Sequence, residues 1–262
     1  FRAGRLAEAV AAANAAVRKA PAELAPRVLL AELLLFAGNP ERADVVLDAG
    51  SAVDPQAAIV IAEFRQLLRA DLARRQQRHD GRVPEFLGEP TAALAAILKA
   101  YVALRAGDPA EATALAGHAE ALRPRVSGTV DGVRFDDFRD ADDLHAGYFE
   151  VLTTTGKYFW IPTERVETIQ FEAPKRARDL YWRRVTMSVR DGPDGVVYLP
   201  VIYGEDGQGD SDELRLGRAT DWIDDQVGPV RGVGQRVFLA GEELVSIMDV
   251  AEIVFDPPKT GA

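Results

Sequence analysis

The sequence predicts an α+β protein in two parts, with α-helical repeats over residues 1–124 and a β-rich, small barrel-like region over residues 125–262. Three observations predict this division. Glycine, alanine and proline landmarks recur at fixed spacing in the first part. The hydrophobic period changes from helical to alternating after Pro124. The excess of negative charge lies wholly beyond the same residue. We therefore expect two regions of different architecture that meet near Pro124.

A repeat with a period near ~34 residues organises the first part. Each copy contains a glycine, an alanine and a proline, and the proline always follows the alanine by 12 positions. The three copies are Gly4, Ala9 and Pro21; Gly38, Ala43 and Pro55; and Gly107, Ala112 and Pro124. A glycine turn, a small residue early in the second helix and a closing proline are typical of tetratricopeptide repeats, which are pairs of antiparallel helices. We expect Gly38 and Gly107 to lie in equivalent turns, each shortly before a proline that begins the next helix.

The elements of the first part follow from this frame. In order, they are a partial repeat, a complete repeat, a longer amphipathic helix, an irregular connector and another complete repeat: residues 1–21, 25–55, 56–79, 84–90 and 91–124. Thr91 is the expected N-cap of the last repeat. The longer helix ends in a basic cluster: Arg74, Arg75, Arg78 and His79. This cluster is either an anion-binding patch or a solvated helix end, and the pattern favours the solvated end.

Short alternating segments between turn residues predict the β-rich part. The expected strands are residues 148–152, 157–161, 184–190, 196–203, 237–239 and 244–255. The acidic segment 204–212 is a polar loop that cannot pack a core. Several short strands joined by turns predict a small barrel or a strongly bent sheet.

The charge distribution and the composition narrow the possible partners. Residues 1–124 carry 15 basic and 15 acidic side chains, whereas residues 125–262 carry 16 and 26. An acidic region repels phosphate backbones, so we expect no nucleic-acid partner. No apolar run approaches the ~20 residues that cross a bilayer, so we expect no membrane partner. The absence of cysteine excludes disulfides and thiolate chemistry.

Candidate catalytic and metal-ligating residues are few, and we expect no cofactor. The three histidines, His79, His118 and His145, lack the spacing of a helical metal pair. Acidic side chains are concentrated before the first predicted strand of the second part: Asp136, Asp137, Asp140, Asp142 and Asp143. They form either a hard-cation site or a fortuitous acidic turn. The segment does not match an EF-hand, because Ala141 and Gly147 occupy the positions where that motif has its glycine and its glutamate. Gly232 and Gly234 indicate a tight turn or bulge more than a nucleotide loop.

The helical repeats also predict a groove. In stacked helix pairs, the first helix of each pair lines the concave face. The expected groove positions are Val28, Glu32, Leu35 and Phe36 in one copy and Leu94, Ile97, Tyr101, Leu104 and Arg105 in the next. Their apolar members, which we call the apolar stripe, form the candidate partner-binding site: Val28, Leu35, Phe36, Leu94, Ile97, Tyr101 and Leu104. The stripe either receives a partner's amphipathic helix or packs inside the protein, on the longer helix of residues 56–79 or on the β part.

Several motifs, taken in order along nearly the whole chain, resemble those of the ImpE/TagJ family, also called SciE-type. They are residues 27–30 (RVLL), 34–43 (LLFAGNPERA), 86–90 (FLGEP), 131–132 (DG) with Phe135, 140–142 (DAD), 147, 150–151 (EV), 156–162 (GKYFWIP), 178–182 (RDLYW), 216–218 (LGR), 220–222 (TDW) and 234–236 (GQR). The chain departs from the family pattern at residues 143–148, where an arginine and a Gly-Pro are usual, and in the acidic loop 204–212.

This resemblance implies a cytoplasmic, non-catalytic accessory protein of a bacterial type VI secretion system. Members of the family bind the N-terminal helix of the small contractile-sheath subunit, TssB, and influence sheath handling by the disassembly ATPase ClpV. The implied partner helix agrees with the groove inferred from the repeats. The alternative from a different functional class is a metal-dependent enzyme centred on the acidic cluster Asp136–Asp143.

Overall fold

A computed structural model describes residues 3–51, 54–204, 211–223 and 226–258. Before Pro124, the described residues form six α-helices: α1 (Leu6–Lys19), α2 (Leu24–Phe36), α3 (Pro40–Ser51), α4 (Ala58–Asp80), α5 (Ala92–Arg105) and α6 (Pro109–Leu122). The predicted helical repeat architecture is confirmed, with α1 as the second helix of a partial pair. The Thr91 hydroxyl accepts a hydrogen bond from the Leu94 N–H at 3.2 Å, so Thr91 is the N-cap expected for α5.

The two complete repeats turn in the same way. Gly38 and Gly107 have φ values of +70° and +77°, which a residue with a Cβ adopts only with strain. In each turn the glycine N–H donates to the carbonyl three residues earlier at 3.0 Å, and the next N–H donates to the carbonyl five residues earlier at 2.9 Å. The side chains of Asn39 and Asp108 then cap the following helix at 3.1 and 3.0 Å. The predicted equivalence of the turns is confirmed.

The described residues beyond Pro124 form mainly short strands. They are β1 (Gly128–Val130), β2 (Val133–Phe135), β3 (Phe138–Asp140), β4 (Tyr148–Leu152), β5 (Tyr158–Pro162), β6 (Val166–Phe171), β7 (Trp182–Val189), β8 (Asp194–Pro200), β9 (Thr220–Ile223), β10 (Arg231–Gly234), β11 (Val237–Ala240), β12 (Glu243–Ser246) and β13 (Glu252–Phe255). A four-residue helix, α7 (Asp212–Arg215), precedes β9. Most of the acidic loop, residues 205–210, lies outside the described residues.

The strands do not close into the predicted barrel. Eight of them form one antiparallel sheet in the order β2-β1-β13-β6-β7-β8-β4-β5, and within the described residues its two end strands, β2 and β5, do not pair with each other. Two smaller sheets, β12-β11-β3 and β10-β9, complete the region. The expected single strand over residues 244–255 is two strands, and β13 pairs between β1 and β6. The barrel prediction is therefore wrong, whereas the β-rich prediction is confirmed.

The helical and β-rich halves pack on each other through aromatic side chains. Phe36 of α2 makes an edge contact with Tyr181, at 5.2 Å between ring centroids, and Phe64 of α4 makes one with Trp182 at 6.0 Å. The connector after α4 extends the large sheet, since the Glu85 N–H donates to the Tyr158 carbonyl at 2.9 Å. The buried apolar side chains form one continuous cluster with members in both halves. The two halves therefore share a core.

Candidate functional site

The apolar stripe predicted to bind a partner lies mostly inside the protein. Five of its seven members have exposed fractions of 5% or less: Leu35, Phe36, Leu94, Ile97 and Tyr101. Val28 and Leu104 are half-buried. The ring of Tyr101 lies 5.9 Å from that of Trp160 in β5, and Phe36 contacts Tyr181. The β half thus covers the stripe, as the alternative interpretation of the stripe expected. Partner binding along it stays a prediction, for which Val28 and Leu104 are the accessible positions.

A cluster of buried charged side chains lies where α4 meets the β half. We call it the seam cluster: Arg74, Arg78, Asp140, Asp142, His145, Glu150 and Arg236. Glu150 lies at its centre, in the otherwise apolar strand β4, and is 1% exposed. Arg74 donates to both oxygens of Glu150 at 3.0 and 2.9 Å. Arg236 and the Tyr158 hydroxyl each donate to Glu150 at 2.5 Å. One carboxylate therefore joins the helical half to two segments of the β half.

The electrostatic environment keeps Glu150 ionised. Burial alone would raise the pKa of this carboxyl, because a charge loses its hydration inside the protein. The opposing charges of Arg74, Arg78 and Arg236 outweigh that effect and hold the pKa of Glu150 well below its ordinary value of 4.5. Buried arginines next to such a carboxylate stay protonated. The centre of the cluster is thus a set of fixed charges.

Asp140 and Asp142 extend the cluster into the loop after β3. Asp140 accepts from Arg236 at 2.8 Å and from the Tyr203 hydroxyl at 2.7 Å. Burial raises the pKa of Asp140, and the Arg236 charge opposes that rise. For Asp142 the balance is reversed: burial raises its pKa, but nearby His145 and the backbone donors lower it below the ordinary value. The two carboxyls, two residues apart, therefore differ in their environments.

His145 links α4 to this loop. Its Nε2 atom lies 3.0 Å from Arg78 Nη2, and its Nδ1 atom lies 2.9 Å from Asp142 Oδ1. Because a guanidinium can only donate, Nε2 accepts the hydrogen bond from Arg78. His145 thus lies between Arg78 and Asp142 at the place where the family pattern departs, instead of being the isolated histidine that its spacing indicated.

The basic cluster at the end of α4 is not a solvated helix end. Arg74 is 4% exposed and pairs with Glu150, and Arg75 pairs with the fully buried Asp71 at 3.0 Å. Asp71 also accepts from the Trp182 indole N–H at 3.2 Å. His79 is exposed. The favoured interpretation is therefore wrong for the arginines, because the β half covers the helix face that carries them.

The acidic segment Asp136–Asp143 does not converge on a cation. Asp137 pairs with Arg123 at 2.7 Å, and Asp143 pairs with Arg139 at 2.8 Å. Across the described ranges, no group of three or more histidine, aspartate or glutamate side chains is arranged to hold a metal ion. This geometry does not favour the alternative of a metal-dependent enzyme.

Gly232 and Gly234 in β10 have packing roles. A Cβ at Gly232 would overlap the ring of Tyr203, and Gly234 has a φ of +80°. Close approach of a ring and a left-handed backbone are both reasons for glycine that involve no nucleotide. The structure thus favours the tight-turn interpretation over the nucleotide loop.

Comparisons with known proteins agree with the two-part architecture. Residues 132–254 match the model of the ImpE protein family, and residues 1–76 match a tetratricopeptide repeat model. The chain is 30% identical over 257 residues to the type VI secretion system accessory component TagJ of Pseudomonas aeruginosa, covering 98% of this chain and 90% of that protein. The chain belongs to the ImpE/TagJ family.

A solved structure shows the same fold. The crystal structure of protein VPA1032 from Vibrio parahaemolyticus is similar with a TM-score of 0.90 and 26% identity, over 98% of this chain and 96% of that one. Among the described residues, no helix is both long and apolar enough to cross a membrane. The ImpE/TagJ assignment therefore rests on sequence and on fold over nearly the full chain.

The seam cluster joins the two parts that the family models recognise. Arg74 lies within the tetratricopeptide match, whereas Glu150 and Arg236 lie within the ImpE match. Sequence reasoning missed this cluster because its members are far apart in the chain, with Arg74 and Glu150 separated by 76 positions. One signal was present: Glu150 interrupts the apolar strand segment YFEVL, and a carboxylate in such a strand needs a buried cationic partner.

Proposed function

We propose that this ImpE/TagJ-family protein is a non-catalytic, cytoplasmic accessory protein of a bacterial type VI secretion system. Its partner is the N-terminal helix of the small sheath subunit TssB, and through this contact it influences sheath handling by ClpV. The observation that carries the proposal is the relationship to the accessory component TagJ over 98% of the chain. Repeats of helix pairs, which commonly present helix-binding surfaces, support a role in protein–protein interaction.

The arrangement of the charged side chains supports a binding role over a catalytic one. The seam-cluster carboxylates are engaged by arginines, a histidine, a tyrosine or backbone N–H groups. Glu150, the most buried of these, is shielded from solvent. Side chains held in this way fix the relative position of the two halves. We infer that their role is to shape a surface for a partner.

The proposed docking surface uses the accessible part of the apolar stripe. Val28 on α2 and Leu104 on α5 are half-buried, whereas Leu35, Phe36 and Tyr101 are at most 5% exposed. A partner helix can therefore gain apolar contact area at Val28 and Leu104 without displacing the β half. Direct contact with Phe36 and Tyr101, whose rings pack on Tyr181 and Trp160, would require the halves to separate, which would expose the seam cluster at a large cost in free energy.

A peptide-binding titration tests this proposal. A fluorescently labelled peptide with the sequence of the first helix of TssB from the same organism is titrated with the wild-type protein and with Val28→Glu, Leu104→Glu and Val45→Glu. Val45 on α3 is 67% exposed and serves as the matched control. We expect wild type and Val45→Glu to bind alike, and each stripe variant to bind at least about tenfold more weakly, since about 1.4 kcal/mol corresponds to that factor.

Two outcomes would count against the proposal. Failure of the wild-type protein to bind the peptide would overturn TssB as the partner. Equal affinity of all three variants, each shown by circular dichroism to be folded, would overturn Val28 and Leu104 as the docking surface and leave the partner assignment standing.

A further inference from the structure

A cavity of about 320 Å³ opens beside the seam cluster, between the C-terminal end of α4, α5, the loop after β3 and the β9–β10 hairpin. Its polar lining is rich in cationic and hydrogen-bonding side chains: Arg78, His79, Tyr101, Arg105, His145 and Arg231. Cavities of roughly 300–1,000 Å³ accommodate small-molecule ligands. Apart from Tyr101 and Leu104, which also belong to the apolar stripe, the lining residues have no part in the partner binding considered above.

The charge of the lining is strongly unbalanced. Three arginines contribute to it, and among the described lining residues Asp142 is the acid. Both oxygens of Asp142 are already engaged: Oδ1 accepts from the Leu144 N–H at 2.8 Å, and Oδ2 accepts from the Gly232 N–H at 2.8 Å. Its carboxylate therefore accepts from the β-half backbone. Arg78 also lies 3.7 Å from Glu150, so among the described lining residues Arg105 and Arg231 contribute the remaining positive charge.

Two of the arginines have donors without an acceptor. The Nε atoms of Arg78 and Arg231 are buried, and neither has a hydrogen-bond partner among the residues that the structure describes. A buried donor without a partner costs free energy, so these two guanidinium groups are not fully satisfied by the protein. The third arginine, Arg105, is held in place because its Nη1 atom donates to the backbone carbonyls of Gln77 and Arg78 at 3.0 and 3.2 Å.

We propose that this cavity binds a small oxyanion, a phosphate or carboxylate group, through the guanidinium groups of Arg78, Arg105 and Arg231. Guanidinium groups stay charged at all physiological pH values, and their planar donor pairs match the geometry of both anions. The cavity lies at the edge of the seam cluster, and Leu104 of the proposed docking surface contributes to its lining. The oxyanion and the TssB helix would therefore bind at adjoining positions. The cavity is thus a second, small-molecule site of the protein.

Thermal melting at matched ionic strength provides the test. The wild-type protein is melted in rising inorganic phosphate, in rising citrate and in sodium chloride of equal ionic strength, and apparent dissociation constants are taken from the saturating part of the shift. We expect phosphate, citrate or both to raise the melting temperature beyond chloride and to saturate. The more effective anion identifies the ligand as phosphate-like or carboxylate-like.

Variants locate the effect. Arg231→Gln removes a cavity guanidinium that is no part of the seam cluster, and Arg18→Gln is the control on the exposed last turn of α1, which contributes nothing to the cavity. Arg231→Gln should weaken binding at least about tenfold, and Arg18→Gln should bind as the wild type does. Ile223→Glu, which adds a carboxylate to the cavity lining, should also weaken binding by repulsion.

The outcomes that overturn the proposal are equally defined. An anion effect no larger than that of chloride would show that the cavity does not bind oxyanions. A saturable effect that both Arg231→Gln and Ile223→Glu retain at wild-type strength would place the binding elsewhere.

Discussion

At the scale of single residues, Glu150 is where the hydrogen bonds of the seam cluster converge. Arg74 donates to it twice, and Arg236 and Tyr158 donate once each. Breaking a buried ion pair by neutralising one partner typically costs about 3–5 kcal/mol, because the remaining charges stay buried without compensation. A neutral residue of the same shape at this position therefore tests whether the cluster holds the halves together.

We expect Glu150→Gln to lower the free energy of unfolding by about 3 kcal/mol or more at pH 7, measured by urea denaturation. Glu8→Gln is the control, since Glu8 pairs with Arg5 on the surface with both side chains 67% exposed, and such pairs contribute little. Because the pKa of Glu150 is lowered in the folded state, its contribution is complete above the ordinary pKa and is lost as the pH falls through the lowered one. The difference in the free energy of unfolding between Glu150→Gln and the wild type should therefore shrink as the pH falls. Equal losses for Glu150→Gln and Glu8→Gln would contradict this assignment.

The pKa of Glu32 in α2 is shifted in the opposite direction to that of Glu150. It is 4% exposed, and its Oε1 atom has no hydrogen-bond partner among the described residues. Burial raises its pKa from 4.5 to about 7, although the charges of Arg178 and Arg176 oppose the rise. A carboxyl with a raised folded-state pKa stabilises the fold less as the pH rises between the two values, because the folded state then binds more protons than the unfolded state.

We therefore expect Glu32→Gln to stabilise the protein at pH 8 by up to about 3 kcal/mol and to change its stability little at pH 4.5. Glutamine has the shape of the protonated acid and needs no charge in the core. The measurement is urea denaturation of the variant and the wild type at both pH values. A difference that does not grow with pH would contradict the raised pKa.

At the scale of elements, the turns of the repeats were predictable because their causes are local. A glycine with positive φ and a following N-cap and proline specify the turn within a few residues, so Gly38 and Gly107 could be recognised from spacing alone. Whether the sheet closes into a barrel depends instead on which strands pair, and these strands can be far apart in the chain. Strand β13, near the end of the chain, pairs between β1 and β6, and alternation does not encode which strands become neighbours.

Substitution of two glycines by alanine can separate the effect of backbone conformation from the effect of side-chain packing. An added Cβ meets no atom within 4 Å at Gly107 or at Gly117, but Gly107 has a φ of +77°, whereas Gly117 lies inside helix α6. We expect Gly107→Ala to destabilise the protein by roughly 1–2 kcal/mol and Gly117→Ala to stabilise it by roughly 0.5–1 kcal/mol. Thermal melting of the two variants is the measurement, and a shift of the same sign in both would contradict the equivalent-turn assignment.

At the scale of the whole molecule, the β half packs on Phe36 and Tyr101 of the apolar stripe and on Arg74 of α4. The sequence predicted both the apolar stripe and the basic cluster on α4, but it did not show that Trp160, Tyr181 and Glu150 would lie against them. These contacts join residues far apart in the chain, so no local pattern reports them. The same packing leaves Val28 and Leu104 as the accessible part of the stripe. Partner binding to this family member is therefore expected on a surface that both halves shape.

The shared core and the seam cluster should make the two halves one cooperative unit, which equilibrium unfolding followed with two probes can measure. All three tryptophans lie beyond Pro124, whereas nearly all of the helix lies before it. Tryptophan fluorescence therefore reports on the β half, and circular dichroism at helical wavelengths reports on the repeats. We expect coincident urea transitions with one midpoint. Two separate transitions, with the helices melting independently of the tryptophan environment, would contradict it.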